Sequence, residues 1–338
     1  MGISLSRKRT FPQAQSHMGF HFTTAVYIVF LINSLKQVMP YYQSFSPLES
    51  NSHIRILCTA RIASVEKLAP AIGWLKSQGY QVSLGKTIGK KHHQYGGSNE
   101  ERLADFQEAL ANPAIDAIWI ARGGYGSIKI VDDIDLSILE GRNKLLLGYS
   151  DVTNLHGLWQ RHGLQSVHCF MPQEFPEKSE ELLRSWSRVV TGQSQSLTFE
   201  NTNEIEEQVI TAPVIGGNLS VLLSMLSSPT FPDLKDHILF IEDLDEYLYH
   251  IDRMMTTLKR SGKLDDLKAL VIGGMTDMKD HEIPFGKNAR EIIEEHTAGK
   301  SYPVIFDFPA GHLIDNYSFV LGKPITIDIR SLTVTISQ

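Results

Sequence analysis

The sequence predicts an α/β protein, with a parallel, doubly wound sheet first and a second domain of mixed strands and helices after it. Three observations carry that prediction. From His53 onward, short apolar segments alternate with stretches of helical periodicity, the pattern of stacked strand–helix–strand units. The chain has 338 residues, enough for two domains at about 150 residues each. Glycine-rich or acidic turns also follow three of the strand segments directly, where an open parallel sheet holds its ligands.

The elements follow in order. HIRILCT (53–59) reads as a buried strand. ASVEKLAPAIGWLKSQGY (63–80) places Val65, Leu68, Ile72 and Leu75 at helical spacing and stops at Gly79. QVSLG (81–85) is a second strand. SNEERLADFQEALANP (98–113) opens with Ser98 and carries Glu101 three residues on, the pattern of a capping box. AIDAIWIA (114–121) is a third strand running straight into RGGYGS, where a helix is expected to begin. KLLLGYS and QSVHCF complete five short strands. Residues 172–206, polar and rich in Ser, Glu and Asn, read as the crossing between domains, with one short helical stretch. The divisions expected are therefore 1–40, 41–171, 172–206 and 207–338. The last begins with QVITAPVIGGNLSVLLSML as strand, glycine turn and helix. It continues through the strand HILFIED, a helix ended by Gly262, the strand LKALVIGG and the helix KNAREIIEEHTAG. VIFDF, SFVLG, PITIDI and LTVTIS close it.

Residues 1–40 stand apart. Every charge before Glu49 is positive, and Ala25 to Ile32 is an unbroken apolar run behind Arg7-Lys8-Arg9. Two readings are open: a secretory signal, although no small-x-small cleavage site follows, or a misassigned start with Met18 or Met39 as initiator. The second is preferred; a working signal would make the protein periplasmic. No apolar run approaches the ~18 residues that span a bilayer, so no stable membrane insertion is expected. With 32 basic against 38 acidic side chains, the net charge is −6, which argues against a nucleic-acid partner. Two cysteines, Cys58 and Cys169, make no disulfide framework or zinc motif and read as core thiols.

Chemistry is sought at three strand ends. In Arg122-Gly-Gly-Tyr-Gly-Ser127 the glycines permit a tight turn that lifts Ser127 over the sheet, as in a nucleophile elbow. The full G-x-S-x-G pattern is not met, so a plain glycine turn with a capping serine, or a phosphate cradle, stays open. Glu242-Asp243 ends HILFIED; one carboxylate there suits a histidine partner, and helix capping is the alternative. His312 follows Pro309-Ala-Gly at the end of VIFDF. His156 is its competitor and reads as a packed helix residue. Asp277, Asp280, His281 and Glu282 lack regular metal-ligand spacing. No metal or cofactor is expected.

Taken together, GGSNEERLADF, AIWIARGGYGS, LLGYSDVTNLH, APVIGGNLSVL, LFIEDLDE with YHIDRMMTTL, and DFPAGH with LG resemble the LD-carboxypeptidases, or muramoyltetrapeptide carboxypeptidases. Six blocks in order, from about residue 53 to the end, carry the resemblance. It implies a Rossmann-like N-terminal domain, a mixed β/α C-terminal domain, and a Ser-Glu-His peptidase site in the groove between them. By motif, Ser127 is the nucleophile, Glu242 the carboxylate and His312 the base. The backbone N–H groups of Gly97 and Ile128 form the oxyanion hole, and Arg122 and Asn218 are candidates for the substrate's free carboxylate. The implied substrate is a murein tetrapeptide that loses its terminal D-alanine in cell-wall recycling, and the implied assembly is a homodimer. The rivals are the related microcin C immunity peptidase, acting on aminoacyl-adenylate-like amides, and a non-catalytic ligand-binding homologue.

Overall fold

In a computed structural model, residues 41–139, 141–200, 205–330 and 333–338 are described; the signal-like stretch lies outside them. The first sheet is built from β1 (His53–Leu57), β2 (Gln81–Leu84), β3 (Ala117–Ile120), β4 (Leu145–Gly148) and β5 (Ser166–His168). All five are parallel, in the order β2-β1-β3-β4-β5. Helices α1 (Val65–Ser77), α2 (Asn99–Ala111) and α3 (Thr153–Arg161) supply three of the four connections, and short 3₁₀ turns lie between β3 and β4. The chain reverses its direction of travel across the sheet between β1 and β3, and such a switch point opens a crevice at the carboxyl ends of the two strands. Residues 58–60 and 121–127 border that crevice.

The helix signals hold where capping chemistry supports them. Ser98 Oγ accepts the Glu101 N–H and the Glu101 carboxylate accepts the Ser98 N–H, closing the expected capping box at the start of α2. In α1 the buried stripe is Leu68, Ala71 and Leu75, while Val65 at the first turn is exposed. Both thiols are buried in the first core.

Residues 172–206 do more than cross. Helix α4 (Glu180–Val190) packs Trp186 against Trp119 of β3, with ring centroids 4.9 Å apart and nearly parallel planes. Strand β6 (Ser196–Glu200) then joins the second sheet at its edge.

That sheet runs β10-β9-β8-β7-β12-β13-β6. Its parallel half holds β7 (Gln208–Asn218), β8 (Ile238–Leu244), β9 (Ala269–Thr276) and β10 (Val304–Ile305). Strands β12 (Pro324–Arg330) and β13 (Thr333–Ser337) pair antiparallel beyond β7. Helices α5 (Leu219–Ser224), α6 (Leu248–Arg260) and α7 (Ala289–Thr297) connect the parallel strands. Three expectations are corrected. The glycine turn of APVIGGN is absent, because β7 runs through Gly216 and Gly217 to Asn218 before α5 begins. VIFDF is a strand only over its first two residues. SFVLG gives β11 (Phe319–Leu321), which leaves the second sheet and pairs antiparallel with β5 at the edge of the first. The described residues belong to one compact unit.

Candidate active site

Beyond β3 the chain turns through Gly123, Gly124 and Gly126 to Ser127. Gly126 has φ +153°, and a Cβ there would lie 2.8 Å from Arg102 Nη1, so the turn closes only on glycine. Ser127 is fully buried, and its Oγ lies 2.8 Å from Thr59 Oγ1 at the end of β1. Its N–H donates to Asp151 Oδ2 at 2.8 Å. Burial pushes the Asp151 carboxyl up, against the lowering pull of the Ser127 and Gly126 hydrogen bonds and the Arg102 charge. The α-helix expected after Ser127 is absent: a three-residue 3₁₀ turn, Ser127–Lys129, takes its place, followed by two more short 3₁₀ turns before β4. A helix dipole therefore does not act on Ser127, and single N–H groups must do that work. Among the described residues, the N–H groups of Gly97 and Ile128 meet no acceptor.

The other half of the site gathers at the ends of β8 and β9. Glu242 is fully buried, and its Oε2 accepts from His312 Nδ1 at 2.6 Å and from the His312 main-chain N–H at 3.1 Å. The register of β8 against β9 slips between Ile241 and Asp243, as at a bulge. At that slip Gly274 N–H donates to the Ala310 carbonyl at 3.0 Å, docking the histidine loop on β9. Thr276 Oγ1 donates to the His312 carbonyl at 2.6 Å. Gly311, at φ +102°, leaves no room for a side chain: a Cβ there would lie 2.7 Å from Glu242 Cβ and Cγ. Burial alone would lower the His312 pKa. The Glu242 charge and hydrogen bond outweigh it, with help from Glu174 and Asp243, and hold the imidazole above the ordinary histidine value. A cleft of about 740 Å³ opens beside His312, bordered by Gly273, Thr276, Arg290, Asp307 and Ile314.

No hydrogen bond joins Ser127 Oγ to His312; the serine hydroxyl is turned to Thr59. The two halves meet instead through Tyr149–Asp151, beyond β4. The Tyr149 ring lies 4.8 Å from the His312 ring, and Asp151 holds the Ser127 N–H. Tyr149 Oη donates to Glu174 at 2.9 Å, and burial drives its pKa well up. Ser150, between them, sits at φ +62°, a strained value for a non-glycine residue.

The remaining candidates divide. Arg122 is half-buried, and Nη1 donates to the Ile62 carbonyl at 3.2 Å. Asn218 is buried and occupied: it caps α5 through the Val221 N–H, accepts Ser220 Oγ–H, and donates to Asp243 Oδ1 at 2.9 Å. Asp243 is raised to about 7 by burial and by the charge of Glu242. His156 is a packed residue, as expected, bonded to Ser166 Oγ and the Gly148 carbonyl, and burial lowers it to about 4. His281 stacks on Tyr247, ring centroids 4.6 Å apart. Sequence reasoning missed Thr59, Arg102 and Asp151 around the serine. It also missed Asn316, whose Oδ1 accepts the Gly311 N–H at 2.9 Å and faces buried His168 at 3.2 Å. The only available signal was that Arg102 and Asp151 fall inside the motif blocks.

Comparisons with known proteins agree on this architecture. Residues 54–169 match the LD-carboxypeptidase N-terminal domain and residues 211–327 its C-terminal domain. A probable murein peptide carboxypeptidase of Bacillus subtilis is 29% identical over 301 residues, 86% of this chain and 92% of that protein. The murein tetrapeptide carboxypeptidase of Pseudomonas aeruginosa is 26% identical over 85% of this chain and 95% of its own. The crystal structure of muramoyltetrapeptide carboxypeptidase from Oxalobacter formigenes superposes with a TM-score of 0.77 at 27% identity, covering 85% of this chain and 98% of that one.

Proposed function

Because this chain belongs to the LD-carboxypeptidase family, we propose that it is a serine carboxypeptidase releasing the terminal D-alanine of murein tetrapeptides. The observation that carries the proposal is the Glu242–His312 pair, fixed at 2.6 Å, with Tyr149 against the imidazole and Asp151, two residues on, holding the N–H of buried Ser127. Glu242 accepts the Nδ1 proton, which leaves Nε2 as the free base. Substrate binding draws Ser127 Oγ from Thr59 toward Nε2; hydrogen bonds of this kind tighten only with substrate present.

Oγ then attacks the carbonyl carbon of the L,D-amide while His312 takes its proton. The N–H groups of Gly97 and Ile128 hold the oxyanion, each such donor supporting about 100- to 1,000-fold in rate. The imidazolium protonates the leaving nitrogen, the C–N bond breaks and D-alanine departs. Water, activated by the same imidazole, attacks the acyl-enzyme and restores Ser127. Arg122, with one hydrogen bond among the described residues, is assigned the substrate's free carboxylate. Asn218 shapes the floor through Asp243. We place the enzyme in the cytoplasm as a homodimer on the family resemblance, to be checked by cell fractionation and sedimentation velocity.

The direct test is D-alanine release from a purified murein tetrapeptide by the wild-type chain and by Ser127→Ala. Release by the first alone is expected. No release by folded wild type sinks the murein reading, and cleavage of an aminoacyl-sulfamoyl adenosine would then make it a microcin-type peptidase.

A further inference from the structure

The peptide bond between Gly126 and Ser127 is gripped at both ends by buried side chains of opposite charge. Its carbonyl oxygen accepts from Arg102 Nη1 at 2.8 Å, and its N–H donates to Asp151 Oδ2 at 2.8 Å. The two side chains come from different parts of the fold, α2 and the loop beyond β4, and both are buried. They form no direct ion pair; the peptide lies between them. Arg102 Nη1 also donates to the Thr59 carbonyl, and Nη2 to Asn99 Oδ1 at 2.5 Å, while the Tyr95 ring covers the guanidinium at 4.9 Å. Asn154 Nδ2 lies 3.3 Å from the second Asp151 oxygen.

We propose that Arg102 and Asp151 are positioning residues, which together fix the orientation of the 126–127 peptide and thereby aim Ser127 Oγ and the Ile128 N–H. The inference rests on Ser127 being the nucleophile. Gly126 is the least restrained residue type, and it stands immediately before the residue that needs the tightest aim. The 3₁₀ turn after Ser127 adds one bond to this peptide, from the Lys129 N–H to the Gly126 carbonyl at 3.1 Å, and leaves the Ser127 N–H to Asp151. A half-turn of the 126–127 peptide would set its carbonyl against the Asp151 carboxylate and its N–H against the Arg102 cation. Both contacts are repulsive, and burial magnifies the penalty. Burying two such charges is costly; here Arg102 Nη1 and Asp151 Oδ2 are engaged by the nucleophile's own backbone, while Arg102 Nε is buried with no hydrogen-bond partner among the described residues. The same guanidinium places Thr59, the resting partner of Oγ, so one side chain sets both the backbone and the hydroxyl.

The test uses a fluorophosphonate, which phosphonylates an activated serine whatever the natural substrate, alongside D-alanine release by the full chain. Arg102→Met should lower the labelling rate per reactive site and kcat by about 100-fold. KM should change by less than about threefold, as for an interaction used in the transition state. Asp151→Asn, which keeps an oxygen acceptor for the Ser127 N–H, should rescue the rate to within about tenfold of wild type. If Arg102→Met does not fold, Arg102→Lys decides. It keeps the charge but loses the planar fork that reaches several acceptors, and should lose at least about tenfold. Titrating the labelled fraction separates aim from folding. A normal rate per labelled site, with only the labelled fraction or melting temperature reduced, overturns the proposal. So does a wild-type chain that fails to label at Ser127. A wild type that labels but releases no D-alanine sinks the murein reading and leaves the comparison of variants valid.

Discussion

Glu242 Oε2 holds His312 at two points, 2.6 Å from Nδ1 and 3.1 Å from the main-chain N–H. One carboxylate oxygen therefore sets both the tautomer of the ring and the place of its backbone. Among the described residues its other oxygen is buried without a partner, so none of them offers a competing bond.

Glu242→Gln keeps an acceptor but removes the charge. Loss of the corresponding charge in a serine-peptidase triad costs about 10⁴-fold in kcat, and a loss of roughly 10³- to 10⁴-fold is expected here. The pH profile gives the sign. His312 acts as a base only when neutral, and Glu242 raises its pKa. Wild-type kcat/KM must therefore fall as the pH drops through that raised value. In the variant the acidic limb moves to lower pH. A limb that stays in place would show that another group governs it.

Gly311→Ala tests the close approach of the histidine loop to Glu242. Positive φ and a Cβ 2.7 Å from the glutamate side chain make the substitution costly, by about 1 to 3 kcal/mol for the backbone alone. Urea denaturation should show that loss, and kcat should fall even where the protein is folded. An alanine variant as stable and active as wild type would refute the packing described.

Thr59→Val removes the resting partner of Ser127 Oγ. If that bond must break before reaction, its loss costs about 1 kcal/mol of stability without a comparable loss of rate. Phosphonate labelling should stay within about tenfold of wild type, since the weak bond is absent from the reactive geometry. A hundredfold fall would make Thr59 part of the reacting machinery.

Trp186→Ala probes α4. A buried tryptophan truncated in a core costs roughly 3 to 5 kcal/mol, and Trp186 stacks on Trp119 beside the strand that leads to the serine turn. Denaturant melts should register most of that loss. A change under 1 kcal/mol would mean that α4 is held by other contacts.

Much of this was legible in the chain of letters. The doubly wound half could be read because parallel strands are buried on both faces and stand out as apolar runs such as AIWIA and LLLG. Ser127, Glu242 and His312 could be singled out as candidates because each lies at or just past an apolar segment that reads as a strand, inside a motif block. What surrounds them could not be read. Arg102 and Asp151 are ordinary charged residues at sequence separations of 25 and 24 from Ser127, and only the crossing of β1 over to β3 gives them a common target. Trp186 lies in the short helical stretch expected within residues 172–206, but nothing in that segment showed that it would pack on Trp119. The helix expected after Ser127 is replaced by three short 3₁₀ turns, Ser127–Lys129, Val131–Asp133 and Leu136–Leu139.

Strand β11 has a consequence for how the molecule is made. It comes from residues 319–321, yet it completes a sheet whose other members all lie between residues 53 and 168. As the chain is synthesised, the first sheet waits with the backbone of β5 bare along one side until residues 319–321 have left the ribosome. A bare strand edge is where chains pair wrongly with one another. The serine turn is thus built early on a scaffold that closes late, and nascent or truncated chains ending before Phe319 are the ones most exposed to aggregation.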